Sequence, residues 1–173
     1  MRNKLVLLLL ISLFFAACTR VPAERPSDFS LSLYWDTGSL PPKYRYEYVI
    51  TIGPGNQGQL VYQVGYDTAD ESLRRISDFT LTDKRLDELY TYLNEQGVFT
   101  TRWKIGRKLI GGSNTSLIVT AFAREYRLPS LVEFSDEQRA LARETMEGVA
   151  EYVPEYIWAK MDAFQKSYEQ SFD

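Results

Sequence analysis

The chain reads YRYEYVITI at residues 44–52 and QLVYQVGY at residues 59–66, and these two stretches decide the fold. Apolar and polar side chains alternate in both, which is typical of strands that bury only one face. The segment between them, GPGNQG at 53–58, is rich in glycine and suits a hairpin loop. The sequence therefore predicts an antiparallel β-hairpin.

The register of the hairpin follows from the alternation, because a slip of one residue would scatter the tyrosines over both faces. Four cross-strand pairs are expected on the core face: Tyr44 with Tyr66, Tyr46 with Val64, Tyr48 with Tyr62 and Ile50 with Leu60. The other face should be mostly polar: Arg45, Glu47, Thr51, Gln59 and Gln63, with Val49 opposite Val61. An aromatic platform suits sugars or protein partners, but tyrosines that share a face with Ile50 and Leu60 favour core packing.

Further strands are predicted at residues 29–35, 73–81, 98–103, 115–122 and 126–128, the last two as partners. Thr82 can cap a first helix, and Gly97 suits its left-handed end. The apolar residues of this helix lie at i, i+3, i+4 and i+7: Leu86, Leu89, Tyr90 and Leu93.

The end of the chain is predicted to be helical. Ser135 and Gln138 match a capping box, and Pro154 fits the first turn of a last helix. The two helices carry apolar stripes: Ala142, Met146 and Val149 in one, Ile157, Met161, Phe164 and Tyr168 in the other. We therefore predict an α+β fold over 29–173, an antiparallel sheet of about five to seven strands with helices on one face.

The amino terminus has the layout of a cleavable export signal. Arg2 and Lys4 precede an apolar run at 5–17, which ends in two alanines directly before Cys18, the only cysteine. This stretch resembles the lipobox of bacterial lipoproteins. The resemblance implies transfer of a diacylglyceryl group to Cys18, cleavage before it and acylation of the new amino terminus.

We therefore expect a signal peptide at 1–17 and a lipidated Cys18 with a tether at 18–28 that attaches the domain to a membrane on its extracytoplasmic side. Thr19 is not the aspartate that resembles an inner-membrane retention signal, so the outer membrane is favoured in a host with two membranes. One alternative is an ordinary secretory signal. A spanning helix is disfavoured, because the apolar run rises about 20 Å against a hydrocarbon core of roughly 30 Å.

Composition excludes several classes of function. The formal charge is −3 before the loss of Arg2 and Lys4, which disfavours nucleic acid as a partner. The chain has no histidine, so a Ser-His-Asp triad, a Cys-His pair and a histidine-ligated zinc are excluded. A domain of this length can fold without disulfides or a structural metal, and we expect no cofactor.

Carboxylates can catalyse without histidine, as in glycosidases. The candidates are scattered through polar stretches and favour a solvated surface: Asp67, Asp70, Glu71, Asp78, Glu125 and Glu133. A second feature is a basic stretch that could contact lipid headgroups or an anionic polymer, although a solvated loop is the simpler interpretation. Its members are Arg102, Trp103, Lys104, Arg107 and Lys108.

These observations favour a non-enzymatic interaction or accessory module at the cell envelope, bound to the lipid membrane through acylated Cys18, with an envelope protein or polymer as its partner. One alternative is a histidine-free carboxylate-dependent enzyme acting on envelope glycans. Another is a structural envelope component.

The lipidation hypothesis predicts that the Cys18→Ala variant incorporates no fatty-acid analogue, because the thiol is the attachment point. Metabolic labelling of wild type and variant, followed by gel detection, measures this directly. Label retained by the variant would contradict the assignment.

Overall fold

The computed structural model describes residues 21–104, 111–128, 130 and 135–173, and a six-stranded antiparallel sheet forms the centre of this part of the chain. The strands are β1 (Ser30–Asp36), β2 (Tyr46–Ile52), β3 (Gln57–Val64), β4 (Arg74–Thr80), β5 (Asn114–Ala121) and β6 (Arg124–Leu128). Their order in space is β4-β3-β2-β1-β5-β6. Three helices pack against the sheet: α1 (Asp83–Glu95), α2 (Asp136–Ala150) and α3 (Glu155–Gln170). The predicted α+β fold is confirmed.

The predicted hairpin register is confirmed in three of its four pairs: Tyr46 with Val64, Tyr48 with Tyr62 and Ile50 with Leu60. The fourth pair is wrong. Tyr44 belongs to a 3-10 turn at Pro42–Tyr44, and Tyr66 lies beyond the end of β3. The turn forms because Pro42 occupies its first position, and the Tyr44 amide donates to the Pro41 carbonyl at 2.9 Å.

The hairpin loop is shorter than predicted. Gln57 and Gly58 are the first residues of β3, and the Gly53 amide donates to the Gln57 carbonyl at 2.8 Å. The turn therefore spans 53–56, where Asn56 takes the left-handed conformation at φ 73° that asparagine tolerates. Gly58 faces Phe79 of β4 across the ladder.

The other strand predictions hold within a residue or two at their ends, except one. Residues 98–103 form no strand. Gly97 ends α1 at φ 72°, and the Val98 amide then donates to the Leu93 carbonyl at 3.0 Å. The chain keeps turning there, since the Thr101 amide returns to the Gly97 carbonyl at 2.8 Å, and Val98 enters the core from a turn.

Helix capping matches the prediction at one end and differs at another. The Thr82 hydroxyl accepts from the Arg85 amide at 3.2 Å, as expected for the cap of α1. The capping box of α2 is absent, because Ser135 makes no side-chain cap bond. The Gln138 side chain instead accepts from the Lys104 amide at 2.7 Å and donates to the Arg102 carbonyl at 3.3 Å. Gln138 thus ties α2 to the segment that precedes it.

All three helices bury side chains in one core on a single face of the sheet. The central contributions come from the strands and from α1: Leu33, Ile50, Leu60, Leu117, Leu86, Leu89 and Leu93 are almost fully buried. The opposite face carries a row of side chains across four strands, Ile76, Val61, Val49 and Tyr34, between rows that are mostly polar. No helix within the described residues has the length and apolar character to cross a membrane.

Residues 21–28 of the predicted tether pack against the domain. The Tyr90 hydroxyl donates to the Pro22 carbonyl at 2.6 Å, and Arg25 forms an ion pair with Asp87 at 2.7 Å. The Asp28 carboxylate accepts the amides of Phe122 at 3.0 Å and Ala123 at 2.6 Å. These contacts fix the entry of the chain beside the β5–β6 turn.

The contact between Gly58 and Phe79 yields a stability prediction. A Cβ added at Gly58 would overlap the Phe79 ring, so Gly58→Ala should lower the free energy of unfolding by about 1–3 kcal/mol. In a Phe79→Ala background the same change has space and should cost little. Chemical denaturation of the four variants of this cycle measures the coupling, and equal costs in both backgrounds would contradict it.

Candidate functional site

The two ends of the sheet differ in character. Strand β1 runs from Ser30, beside the docked residues 21–28, to Asp36. The connections at 37–45 and 65–73 and the residues 111–113 all lie at the Asp36 end, because β2, β3, β4 and β5 start or finish there. Seven residues of extended strand put about 20 Å between the two ends. The features described next gather at the Asp36 end.

At this end, polar side chains on the sheet face that carries no helices form a hydrogen-bonded network. Asp36 and Glu47 face each other in the β1–β2 ladder, and the Tyr34 hydroxyl lies 2.7 Å from Asp36 and 2.9 Å from Glu47. The Asp36 carboxylate, only 5% exposed, also accepts from the Gly38 amide at 2.5 Å and from the Asn114 side chain at 3.2 Å. Arg45 pairs with Glu47 at 2.7 Å. The network joins β1, β2 and β5 to the connection at 37–45.

Asp36 and Glu47 form a pair of neighbouring carboxylates, as carboxylate catalysis requires. Hydrogen-bond donors of the chain itself, however, already bind to both. Asp36 accepts hydrogen bonds from the Gly38 amide, the Asn114 side chain and the Tyr34 hydroxyl. Glu47 accepts from Arg45 and lies within bonding distance of the same tyrosine hydroxyl. Neither carboxylate lines the cavity beside Trp35 or the depression along the first helix, which are described below. Burial and the two acidic partners raise the pKa of Tyr34, so its hydroxyl stays protonated and holds them. The arrangement therefore serves to fix the loop.

On the helix-covered face, aromatic rings line the same end. Trp35 stacks on Tyr48 with ring centres 5.3 Å apart, and Tyr48 meets the edge of Trp158 from α3 at 5.1 Å. Tyr46 stacks on Tyr62 at 5.5 Å. Tyr46, Tyr48 and Tyr62 thus pack between sheet and helix, as the shared face with Ile50 and Leu60 predicted. Tyr44 and Tyr66, which were predicted on the same face, are instead about half exposed.

A cavity of about 70 Å³ opens beside these rings, between β1, β2, β5 and α2. Its walls are apolar and aromatic: Leu33, Trp35, Tyr48 and Met146. Thr115 also lines it, and Ser113, Arg143 and Glu147 complete it. The Thr115 side chain is the unusual member, because it is only 2% exposed and its hydroxyl has no hydrogen-bond partner among the described residues.

At the surface of this end lies a group of uncovered large side chains, the aromatic end cluster: Leu40, Tyr44, Tyr66 and Phe172. Their exposed fractions are 43, 49, 52 and 51%, and they are four of the six large hydrophobic residues that are exposed in the described chain. Leu40 and Tyr44 come from the 37–45 connection, Tyr66 follows β3, and Phe172 follows α3.

Polar contacts connect the members of the aromatic end cluster. The Tyr66 hydroxyl donates to the Leu40 carbonyl at 2.6 Å, and the Arg45 guanidinium lies 5.4 Å from the centre of the Tyr66 ring. Lys43 lies over the Tyr44 ring at 5.9 Å and forms an ion pair with Asp173, the neighbour of Phe172. The cluster is therefore a surface on which neighbouring contacts hold the Tyr44 and Tyr66 rings, while about half of each side chain stays exposed.

The basic stretch predicted from sequence is only partly described. Arg102 and Lys104 are exposed, whereas Trp103 is half-buried and packs against the core, which leaves its ring less available for contact than the charged neighbours. Cys18, Arg107 and Lys108 lie outside the described residues. Backbone bonds from residues 102 and 104 to Gln138 hold this segment on α2.

The candidate carboxylates that the structure describes are exposed and spread over turns and strands: Asp67, Asp70, Glu71, Asp78 and Glu125. Asp67 and Asp70 accept amides of their own turns, from Ala69 at 3.0 Å and Ser72 at 2.8 Å. Asp78 accepts from Gln59 at 2.8 Å, and Glu133 lies outside the described residues. The clustered acids are instead Asp36 and Glu47, which sequence reasoning missed. The sequence does show that Tyr34 and Asp36, at i and i+2, share one face of a strand. It does not show that Glu47 lies opposite Asp36, which follows only from the β1–β2 register.

A wider depression of about 670 Å³ runs along α1 and is lined by exposed charges and two tyrosines: Lys84, Asp87, Glu88, Thr91, Tyr92, Glu95 and Tyr152. Several of its charges already have partners: Glu88 pairs with Lys84 at 3.8 Å and Arg85 at 3.1 Å within the helix, and Asp87 pairs with Arg25. This open surface offers a ligand little burial.

The part of the chain that the structure describes holds no cluster of three or more metal-ligating acids or cysteines. Comparison with protein-family models and with curated protein sequences returned no match.

Tyrosine burial makes the fold sensitive to high pH. Burial is the main cause that raises the pKa of Tyr48 and of Tyr62. A tyrosine in the unfolded chain loses its proton near pH 10, while the buried tyrosine of the folded chain keeps it. Deprotonation therefore favours the unfolded state above pH 10, and the free energy of unfolding falls as the pH rises further. Unfolding free energies measured between pH 8 and about pH 11.5 should therefore fall above about pH 10.

The Tyr48→Phe variant should reduce that fall by about 1.4 kcal/mol per pH unit, the contribution of one retained proton. Tyr156→Phe is the matched control, because Tyr156 is 56% exposed in the folded protein. Identical pH slopes for wild type and Tyr48→Phe would contradict the argument.

Proposed function

We propose that this protein is a membrane-anchored, non-enzymatic interaction module that presents the aromatic end cluster to a protein or polymer of the cell envelope. The observation that carries the proposal is the position of the cluster. Four uncovered large side chains lie together at one end of the sheet, and the chain enters the domain at the other end. Exposed apolar patches of this kind are typical of binding surfaces.

The entry point sets the orientation. Two residues, Thr19 and Arg20, separate Cys18 from Val21, and the three residue steps can span about 10 Å at most. From Val21 onward the contacts of Pro22, Arg25 and Asp28 hold the chain on the domain near the Ser30 end. An acylated Cys18 would then keep the Ser30 end near the bilayer, and the aromatic end cluster, about 20 Å further along the strands, would face away from it.

The composition of the cluster fits a contact surface. Tyrosine is enriched at interfaces because its ring is rigid, large and apolar while its hydroxyl can bond to a partner or to water. Lys43 and Arg45 lie beside the rings, but Asp173 and Glu47 neutralise them. Recognition would therefore depend on ring contacts more than on net charge.

A histidine-free enzyme is less well supported. Catalysis by two carboxylates requires both to face a substrate in a cleft. Asp36 and Glu47 are the nearest approach to such a pair, and internal hydrogen bonds occupy both.

The proposal predicts that a Tyr44→Ser, Tyr66→Ser double variant, kept in its full acylated form, captures its envelope partner at least about tenfold less well, because truncated aromatic anchors cost more than 1 kcal/mol each. Chemical crosslinking in the native membrane, followed by affinity capture, measures the recovery. The variant should remain folded, since both side chains are about half exposed.

Two parallel samples sharpen this experiment. Tyr156→Ser removes an equally exposed tyrosine outside the cluster and should leave recovery unchanged. Replacement of Arg102, Lys104, Arg107 and Lys108 by serine tests the basic stretch. Loss of the partner only in the basic-stretch variant, or equal recovery in all samples, would refute the aromatic end cluster as the contact site.

A further inference from the structure

The small cavity beside Trp35 carries a separate inference, which goes beyond the proposed function and stands apart from the aromatic end cluster. Its key feature is the Thr115 hydroxyl. Thr115 lies on the core face of β5, directly opposite Trp35 in the ladder, and it is 2% exposed. Most buried hydroxyls in folded proteins have a hydrogen-bond partner. Unlike the other buried unpaired hydroxyls of the described chain, Ser130 and Ser135, the Thr115 hydroxyl lines this cavity, so a group inside the cavity could bond to it.

The cavity can accept such a ligand group. The cavity volume of about 70 Å³ is slightly larger than the volume that two water molecules occupy in liquid water, about 60 Å³. Leu33, Trp35 and Met146 give it apolar walls, so a group that fills it should be largely apolar with one polar function for Thr115. A bare cation or anion does not match the apolar walls, because they would compensate little for the loss of its hydration.

The residues around the cavity suggest what the rest of the ligand looks like. Arg143 and Glu147 are one helical turn apart on α2, both exposed, and both line the cavity. One cation and one anion together favour neither charge sign, yet both can bond to hydroxyl groups. Ser113 adds a third polar side chain.

We propose that this cavity binds the acetamido group of an N-acetylated amino sugar. The methyl group would lie against Leu33 and Met146, and the amide would bond to the Thr115 hydroxyl, which can donate or accept. The sugar ring would lie at the surface, within reach of Arg143 and Glu147. A pocket built around a buried hydroxyl discriminates strongly against an analogue that lacks the matching group.

The test uses the full acylated protein in detergent and isothermal titration with two neutral trisaccharides. The trimer of N-acetylglucosamine carries acetamido groups, and the glucose trimer with the same linkage carries hydroxyl groups in their place. Binding of the first at millimolar or lower concentration, with at least about tenfold weaker binding of the second, is the expected result.

Two variants of β5 locate the site. Thr115→Val keeps the shape and removes the hydroxyl, so it should weaken binding of the acetylated trimer about tenfold while thermal stability is retained or raised. Ser116→Ala is the matched control, because Ser116 lies on the opposite face of the same strand, and its affinity should equal that of wild type.

Several outcomes would overturn the proposal: no binding of the acetylated trimer, equal binding of both trimers, or unchanged affinity in Thr115→Val. Binding of an N-acetylated dipeptide amide with no binding of the trimer would assign the cavity to a peptide instead. None of these results depends on the aromatic end cluster, so failure here and failure of the proposed function remain distinguishable.

Discussion

The fold depends on the central position of β1, which forms antiparallel ladders with β2 on one side and β5 on the other. Without this strand, the β2–β3–β4 meander and the β5–β6 pair would be two small sheets with open edges, and sheets of two or three strands are only marginally stable. Leu31 and Leu33 anchor β1 in the core, whereas Tyr34 and Asp36 project to the open face. One short segment thus unites the halves of the chain and supplies the residues that organise the Asp36 end.

The same strand separates the two ends of the domain. Before it, residues 21–28 are held by Tyr90, Asp87 and the β5–β6 turn; after it, Asp36 fixes the 37–45 connection through Gly38 and Asn114. Gly38 accommodates this turn because it adopts φ 75° and packs directly on the Gly112 backbone, where a Cβ would have no space. The aromatic end cluster therefore rests on a rigid frame. Buried polar atoms do most of the positioning there, and apolar side chains remain for contact.

The cavity at Thr115 and the Asp36 network show two ways in which this end treats buried polar groups. The Asp36 carboxylate accepts hydrogen bonds from Tyr34, Gly38 and Asn114, so it makes this end more rigid and has little bonding capacity left for a ligand. Thr115 keeps its bonding capacity unused beside an apolar space, which costs stability unless something fills it. The clustered carboxylates therefore serve a structural role, and ligand binding is proposed only for the isolated Thr115 hydroxyl.

By itself, the sequence determined the fold class, the hairpin register, the first helix with its Thr82 cap and Gly97 end, and the pairing of β5 with β6, because alternation and helical spacing are local properties. The absence of histidine, also read from sequence, limited the chemistry from the start. Only the tertiary structure decided that residues 98–103 turn instead of extending, that Gln138 bonds to residues 102 and 104 in place of capping, and that Asp36 meets Glu47. The last two depend on contacts between separate elements of the fold, whereas the turn after Gly97 forms from local hydrogen bonds that the alternating pattern did not show. The Thr115 cavity and the aromatic end cluster depend on contacts between elements too, since strand order and helix placement fix which side chains meet and which stay uncovered.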